Sequence, residues 1–385
     1  MKVLVLGGDG YLGWPTSLRL ANEGHQVRII DNLIKREIEI KHGVKPLNKI
    51  LTLHDRVKHW NANQNNKKID FTICDVLNYK VLSETIENFM PEAIIHYAEQ
   101  PSAPYSMADR ENAVFTQNNN IIGTLNLLFA MKKHCPNAHL IKLGTMGEYG
   151  TPNIDIEEGW LNLEYKGRKD RVLYPKKPNS FYHLSKVHDS ANIEFACRVW
   201  DLRCTDLNQG IVYGLLTEEI KQDIENLSTS FHYDSIFGTI INRFITQVVT
   251  NQSMTVYGKG TQKRAYLNIN DTINCVNLAM INSPKAGEFR VFNQFTEFAS
   301  LNDLAEKIKN YTLKINLKPN IKNIKNPRIE EENHYYNPKN TSLISLGLKP
   351  IHFDDEQIKI MVDFITKLKS RVDLSLLEPK IFWKN

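Results

Sequence analysis

Cysteine is scarce in this sequence, and its spacing is as informative as its number. Only five cysteines occur in 385 residues, and no two of them form a CxxC pair. An odd, widely spaced set indicates neither a disulfide framework nor a zinc site, so we expect reduced, buried thiols and no metal centre. The five are Cys74, Cys135, Cys197, Cys204 and Cys275.

Long apolar runs, charge blocks and internal repeats are also missing. No run of about 18 or more apolar residues occurs, and the chain opens directly on the strand-like MKVLVLGG, so we expect no membrane partner and a cytoplasmic protein. The formal net charge is +5, but lysine and arginine are spread along the chain. This distribution predicts no nucleic-acid partner and leaves anionic small molecules as the alternative.

The clearest positive signal is an alternation of short apolar runs with longer amphipathic stretches. Parallel strands need helical crossovers, so this alternation predicts an α/β fold, a Rossmann-type doubly wound parallel sheet with helices near 11–23 and 113–134. Six strands are predicted, at 2–6, 26–31, 69–75, 93–98, 139–145 and 203–208.

Two stretches interrupt that rhythm and suggest a second domain. Residues 33–68 form a long connection after the second strand, and residues 215–236 are acidic and polar. From residue 251 the pattern changes to short strands, turns and helices. We predict a smaller C-terminal substrate domain interleaved with the sheet: an NAD-binding domain at 1–213 and 262–295, and a nucleotide-sugar-binding domain at 214–261 and 296–385.

The segment GGDGYLG (7–13) has the pattern of a dinucleotide-binding loop. Gly7, Gly10 and Gly13 follow a strand and open a helix, where a side chain would block the approach of a pyrophosphate to the free amides of the helix. Asp31 ends the next strand, where a carboxylate accepts hydrogen bonds from ribose hydroxyls and repels a 2′-phosphate. The pattern favours NAD over NADP, although Lys35 and Arg36 could also receive a phosphate.

A second motif, FYHLSK (181–186), places Tyr182 and Lys186 four residues apart on one face of a helix. The lysine is expected to lower the phenol pKa and hold the nicotinamide ribose, so that the tyrosinate can take a proton from a sugar hydroxyl. Because YxxxK also occurs by chance, the interpretation depends on the Rossmann loop upstream. Thr145, in LGTMGEYG (143–150), is the expected third member.

With these motifs in place, the chain resembles extended short-chain dehydrogenases that act on nucleotide sugars, and among them the UDP-sulfoquinovose synthase family. The resemblance covers nearly the whole length. Its most specific segments are KLGTMGEYGTPNIDIEEG (142–159) and FYHLSKVHDS (181–190), and others are EQPSAPYSMADR (99–110), TVYGKGTQKRAYLNINDT (255–272) and NPRIEEENHYYN (326–337).

The resemblance implies an enzyme that converts UDP-glucose and sulfite to UDP-sulfoquinovose with tightly held NAD. It implies a homodimer or higher homo-oligomer through helices near 113–134 and 182–199. The implied catalytic positions are Thr145, Tyr182 and Lys186; the cofactor positions are Gly7, Gly10, Tyr11, Leu12, Gly13, Asp31, Asn32, Arg36, Asp75, Val76, Asn119, Tyr182, Lys186 and Gln209; the substrate positions are Thr145, Tyr182, Gln209, Thr239, Val256, Gln262, Arg264 and Arg328.

The expected reaction begins with oxidation at carbon 4, which acidifies the proton on carbon 5 and permits elimination of water across carbons 5 and 6. Dehydratases of this outline use an Asp-Glu pair after the threonine, where this chain carries Met146 and Gly147. Elimination is therefore assigned to His183 or Glu148, although each could instead be an ordinary structural residue. Sulfite would then add at carbon 6.

One departure from the family pattern and several alternative functions stay open. Plant members of the family carry an arginine where this chain has Pro101, so an anion contact is absent or comes from elsewhere. The same Tyr, Lys and NAD also serve 4-epimerases and 4,6-dehydratases, and a protein that binds NAD without catalysis is the non-enzymatic alternative.

Overall fold

The computed structural model describes residues 1–63 and 68–384. The strands that it contains are β1 (Lys2–Leu6), β2 (Gln26–Asp31), β3 (Ile69–Ile73), β4 (Ala93–His96), β5 (His139–Thr145), β6 (Trp160–Tyr165), β7 (Arg168–Leu173), β8 (Arg203–Gln209), β9 (Ile211–Tyr213), β10 (Met254–Tyr257), β11 (Lys263–Asn268), β12 (Phe289–Gln294), β13 (Glu297–Ser300) and β14 (Ile321–Ile324).

The α-helices are α1 (Gly13–Asn22), α2 (Ile34–Lys41), α3 (Leu53–Asn63), α4 (Tyr79–Phe89), α5 (Ala103–Ser106), α6 (Arg110–Gln117), α7 (Gly123–His134), α8 (Phe181–Trp200), α9 (Glu218–Gln222), α10 (Ile224–Leu227), α11 (Ile240–Val249), α12 (Ile269–Ile281), α13 (Leu301–Lys314), α14 (Thr341–Ser345) and α15 (Asp355–Lys367). Shorter turns are the 3₁₀ segments Met146–Glu148, Lys369–Arg371 and Leu374–Leu376 and a π-helical turn at Asn118–Ile122.

Within the described residues, seven strands form one parallel sheet in the order β3-β2-β1-β4-β5-β8-β12. The sheet confirms the predicted Rossmann-type α/β fold. Its central strands β1, β4 and β5 are mostly buried on both faces because helices cover both sides, whereas the edge strand β3 is partly exposed. The strand order reverses between β1 and β4, and a ligand-binding crevice forms at such a switch point, beyond the carboxyl ends of the strands.

The sheet has one strand more than the sequence analysis predicts. β12 pairs in parallel with β8 at the edge of the sheet. It lies in the 262–295 segment that the predicted domain scheme returns to the NAD-binding domain. The chain therefore leaves the sheet after β8, forms the elements from β9 to α12, and returns to add β12 at the edge of the sheet.

The long connection at 33–68 is largely helical, since it contains α2 and α3. Residues 64–67 of that predicted connection lie outside the described residues. The polar stretch at 215–236 likewise contains the two short helices α9 and α10.

A second hydrophobic cluster lies apart from the sheet and is built mainly from C-terminal residues. It combines the inner faces of α11, α13 and α15 with side chains of β10. Small sheets β9-β11-β13 and β10-β14 border it, while β6 and β7 form a separate hairpin. The predicted domain boundaries stay a prediction. The last of them, residue 385, lies outside the described residues. No helix among the described residues is long and apolar enough to cross a membrane.

Candidate functional site

A cleft of about 780 Å³ runs from the glycine loop after β1 to the segments around Arg264 and Arg328. It lies at the carboxyl edge of the sheet, where the switch point predicts a ligand site. Nearly all sequence-predicted site residues line it. The exceptions are Asp75, Val256 and Glu148, whose side chains face elsewhere.

The glycine loop has the close packing that a dinucleotide cradle requires. Gly7 has φ +81°, and a Cβ on Gly13 would lie 2.1 Å from the Gly7 carbonyl oxygen. Larger residues cannot occupy these positions without moving the backbone. Because α1 begins at Gly13, its free amides point to where a pyrophosphate would lie. The loop therefore fits the phosphates of NAD.

Asp31 ends β2 inside the cleft, as predicted for a residue that binds the adenosine ribose. Its two carboxylate oxygens accept hydrogen bonds from the backbone amides of Asp9 and Leu33, at 2.8 and 2.7 Å. Burial and the nearby Asp9 charge raise the pKa of Asp31 to about 6. Free lone pairs remain on the carboxylate for ribose hydroxyls.

The two basic residues after Asp31 are already engaged. Arg36 Nε donates to Asp9 Oδ2 at 2.6 Å, and Lys35 pairs with Glu39. Neither cation is therefore free to receive a 2′-phosphate in this conformation, which supports the preference for NAD. The fully buried Arg56 also pairs with Asp9 and holds it in place.

The adenine end of the cleft is formed by the ends of β2 and β3 and by the π-helical turn. Val76 packs against Gly123, on which a Cβ would lie 2.7 Å from Val76 Cγ2. Asn32 Nδ2 donates to Asp75 Oδ2 at 3.0 Å, so Asp75 holds the loop rather than facing the cleft. Asn119 lines the cleft from the π-helical turn, a feature frequent at functional sites.

Tyr182 and Lys186 project from α8 into the sheet edge beside Thr145. Lys186 Nζ lies 2.6 Å from Glu99 Oε2 and donates to the Leu143 carbonyl at 2.6 Å. Burial, and then the charge of Glu99, raise the pKa of Tyr182 above its ordinary value. The expectation that Lys186 lowers the phenol pKa is therefore wrong, because burial and the charge of Glu99 outweigh the charge of Lys186.

His183 occupies the position opposite Thr145 and Gly147. Its ring centroid lies 5.0 Å from that of Tyr182, and its Nδ1 is 3.0 Å from Ser180 Oγ. Burial, followed by the charges of Arg328 and Arg264, lowers the pKa of His183 to about 3. The imidazole is therefore neutral at physiological pH, and it can serve as a base where an anionic ligand offsets the charges of Arg328 and Arg264.

Glu148 is placed differently from the prediction. Its side chain is fully buried behind β5, where Lys176 and Lys142 bind it and the Thr145 amide donates to Oε1 at 3.1 Å. Burial raises the carboxyl pKa, but the two lysines outweigh it and hold it at about 2. A carboxylate that is outside the cleft and permanently charged is a poor acid or base. The predicted role of Glu148 in elimination is therefore wrong, and Glu148 instead positions the Thr145 backbone. Met146 does line the cleft.

The opposite end of the cleft is cationic. Arg264 pairs with Glu330, while Arg328 has no carboxylate within 4.0 Å among the described residues. Thr239 Oγ1 and Gln262 Oε1 are buried without a hydrogen-bond partner in the described part of the chain. The arginines and the Thr239 hydroxyl fit a polar, anionic ligand, whereas Gln262 Oε1 can only accept and fits a hydroxyl or N–H group of that ligand. Val256 is fully buried in the second core, which excludes its side chain from direct contact with the substrate.

Two residues at the site escape the sequence analysis. Arg243 lines the cleft and donates from Nη1 to Tyr257 Oη at 2.6 Å. Glu99 lines the cleft behind Lys186. An arginine among the buried apolar residues of α11, and a carboxylate three residues after β4 at the carboxyl edge, are the signals that could have identified them.

Comparison with known proteins places this cleft in a familiar class. A sequence profile of the NAD dependent epimerase/dehydratase family matches residues 3–293, so the chain belongs to that family. The chain is 49% identical over 383 residues to "UDP-sulfoquinovose synthase, chloroplastic" of Spinacia oleracea, covering all of this chain and 79% of the relative. It is 40% identical to "UDP-sulfoquinovose synthase" of Sulfolobus acidocaldarius, covering all of this chain and 98% of the relative.

Solved structures agree on the fold. The crystal structure of UDP-glucuronic acid 4-epimerase from Bacillus cereus, in complex with UDP-glucuronic acid and NAD, superposes with a TM-score of 0.70 at 20% identity. The superposition covers 96% of this chain and the whole of that one. The family and the glycine cradle together establish NAD as the cofactor.

Proposed function

We propose that this chain is a UDP-sulfoquinovose synthase, which converts UDP-glucose and sulfite to UDP-sulfoquinovose. The observation that carries the proposal is the packing of neutral His183 against Gly147, next to Tyr182 and Thr145, where a dehydratase of this outline carries an acid pair. The full-length similarity to two proteins of that name supports the same conclusion.

Bound NAD supplies the acceptor and later the donor of a hydride. The residues proposed to hold it are the glycine loop, Asp31, Val76 and Asn119, together with Gln209 at the nicotinamide end. Tyr182 is the proposed proton acceptor for the sugar 4-hydroxyl, and Thr145 orients that hydroxyl. Lys186 is the cation that stabilises the phenolate when it forms.

His183 is the proposed base for the elimination across carbons 5 and 6. Its Nδ1 lies at the Ser180 hydroxyl, while Nε2 is the ring nitrogen closest to Gly147. Oxidation at carbon 4 makes the carbon-5 proton acidic enough for a neutral imidazole to remove it. The unsaturated ketone then lies in a cleft without a carboxylate on Met146 or Gly147, a setting that favours attack by an anionic nucleophile.

The cationic end of the cleft is proposed to bind the UDP diphosphate. Arg328, Arg264 and Arg243 provide charge, Thr239 Oγ1 can donate a hydrogen bond to a phosphate oxygen, and Gln262 Oε1 can accept one from a ribose hydroxyl or uracil N–H group. Sulfite is proposed as the second substrate. Pro101 lines the cleft but offers neither an N–H group nor a charge, so sulfite must be held by other groups than the plant arginine.

Purified protein incubated with UDP-glucose, with and without sulfite, tests the function by mass spectrometry of the products. We expect a sulfonated UDP-hexose only with sulfite, and none from Tyr182→Phe. Formation of UDP-galactose without sulfite would indicate an epimerase. Formation of a 4-keto-6-deoxy sugar would indicate a dehydratase. Binding of NAD with unchanged UDP-glucose would indicate a protein that only binds its cofactor.

The oligomeric state is proposed to be a homodimer. Large apolar side chains are exposed on α6, α7 and α8, among them Val114, Phe129 and Phe195, which are 49–51% exposed. Burying such a face is favourable at roughly 25 cal/mol per Å². Light scattering should give twice the chain mass, and Phe129→Glu should shift the measured mass toward that of the monomer.

The predicted cytoplasmic location can be checked by cell fractionation.

A further inference from the structure

Behind Tyr182 lies a buried cluster of charged side chains that the proposed mechanism does not use. Four carboxyl groups and three ammonium groups meet there, none more than 7% exposed: Glu99, Glu148, Asp189, Asp206, Lys142, Lys176 and Lys186. His96 borders the cluster, and burial lowers its pKa to about 4, so it adds no positive charge at neutral pH. The cluster has one carboxyl group more than its ammonium groups can neutralise.

Every carboxyl group but one has a cationic partner. Lys142 lies 3.3 Å from Asp206 and 3.5 Å from Glu148, and Lys186 lies 2.6 Å from Glu99. Neither oxygen of Asp189 receives an N–H or O–H group in the described part of the chain. Its carboxyl group instead lies within hydrogen-bonding reach of the Glu99 carboxyl group.

Two carboxyl groups this close, buried away from water, cannot both stay ionised. Burial, and then the charge of Glu99, raise the pKa of Asp189 well above its ordinary range. The pKa of Glu99 is lowered instead: burial raises it, but Lys186 outweighs that effect. The single proton of the pair therefore belongs to Asp189.

We propose that Asp189 and Glu99 form a proton-sharing carboxyl pair behind Lys186. Asp189 carries the proton and donates it in a hydrogen bond to Glu99, whose charge holds the Lys186 ammonium at the Leu143 carbonyl. Asp189 lies three residues after Lys186 on α8, so both side chains lie on the same helix face. Glu99 and Asp189 are thus positioning residues for the tyrosine-lysine couple.

The pair also offers a reversible acceptor for the proton that leaves the sugar, a role that rests on the proposed function. Lys186 Nζ passes a proton to Glu99 Oε2, the Tyr182 phenol passes its own to the resulting amine, and the sugar 4-hydroxyl passes one to the phenolate. Lys186 Nζ lies 5.9 Å from the Tyr182 ring centroid, which places the two groups side by side on α8. Glu99 gains one proton, the sugar loses one, and reversal of the three transfers restores the hydroxyl.

The first test needs neither cofactor nor substrate. Protein with ¹³C-labelled aspartate carboxyl carbons is titrated by NMR, and Asp189→Asn identifies the Asp189 signal. We expect a neutral Asp189 carboxyl at pH 7 in the unsubstituted protein. A charged Asp189 at pH 7 overturns the proposal, even if the protein makes the sulfonated product. A neutral Asp189 supports the proposal, even if the protein makes no sulfonated product.

The second test separates the pair from the surrounding charges. Glu99→Gln removes the carboxylate that faces Asp189, so the Asp189 titration should move downward by about one pH unit or more. Glu148→Gln removes a buried carboxylate of the same cluster that is not part of the pair, and should leave that titration in place. Equal shifts in both variants would overturn the specific pairing.

A kinetic measurement then addresses the acceptor role. Glu99→Gln should lower kcat by about 100-fold while the Kd for UDP-glucose stays within about twofold, because the variant retains the cleft but cannot take the proton. Glu99→Asp should recover part of kcat and shift its pH profile. Full turnover in Glu99→Gln would overturn the acceptor role.

Discussion

Gly147 and His183 are packed so closely that a Cβ on Gly147 would lie 2.3 Å from His183 Nε2. No real Cβ contact is that short, so the imidazole occupies the space that any other residue at this position would need. Glycine at position 147 is therefore what leaves room for the His183 ring. Glycine removes a side chain, and the ring fills its place.

Gly147→Ala should displace the His183 ring and lower kcat by about 10- to 100-fold, while UDP-glucose affinity changes little. Steady-state kinetics and equilibrium binding measure the two effects. Gly123→Ala is a matched control, since its Cβ would collide with Val76 at the adenine end and should weaken NAD binding instead. If His183 mediates the loss, Gly147→Ala combined with His183→Ala will be no slower than His183→Ala alone.

Glu148→Gln should lower the free energy of unfolding by about 3–5 kcal/mol, because Lys176 would lose its buried carboxylate partner and Lys142 would keep only Asp206. Urea denaturation measures the change. Glu157→Gln removes a carboxylate that pairs with Lys339 at the surface, and its effect should be far smaller. Equal stability of Glu148→Gln and the unsubstituted protein would contradict the buried ion pairs.

Asp31→Ser should weaken NAD binding by about 1.5–3 kcal/mol, since it removes a charged hydrogen-bond acceptor. It should not improve NADP binding, because Asp9 holds Arg36 and Glu39 holds Lys35. Calorimetric titration with both dinucleotides checks both statements. A gain in NADP affinity would mean that Arg36 leaves Asp9 to bind the 2′-phosphate.

Acid should destabilise the protein through its buried neutral histidines. Burial, and then Arg290 and Arg203, lower the pKa of His139 to about 3. Below the unfolded value of about 6.5, the unfolded chain takes up a proton that folded His139 refuses, so the free energy of unfolding falls by about 1.4 kcal/mol per pH unit until about pH 3. His139→Gln should therefore reduce the slope of the free energy of unfolding against pH by about 1.4 kcal/mol per pH unit in this range.

Much of the fold could be predicted from the sequence because buried parallel strands are continuous apolar runs. Asp31, Tyr182 and Lys186 could be found because each belongs to a local pattern next to a strand or helix. Glu99 and Asp189 could not, since 90 residues separate two side chains that only the folded sheet brings together. Glu148 could not be placed from the sequence, because the pattern does not show that its side chain turns inward to meet both Lys142, six residues upstream, and Lys176.

The seventh strand has a consequence for how the protein is made. β12 covers the edge of β8, yet 79 residues separate the end of one from the start of the other. At a synthesis rate of about 5–20 residues per second, β8 emerges several seconds before its neighbour exists. During that interval its open edge can pair with another nascent chain. Ribosome-bound intermediates should therefore be the form most prone to aggregate, and the protein should benefit from chaperones that shield an unfinished sheet.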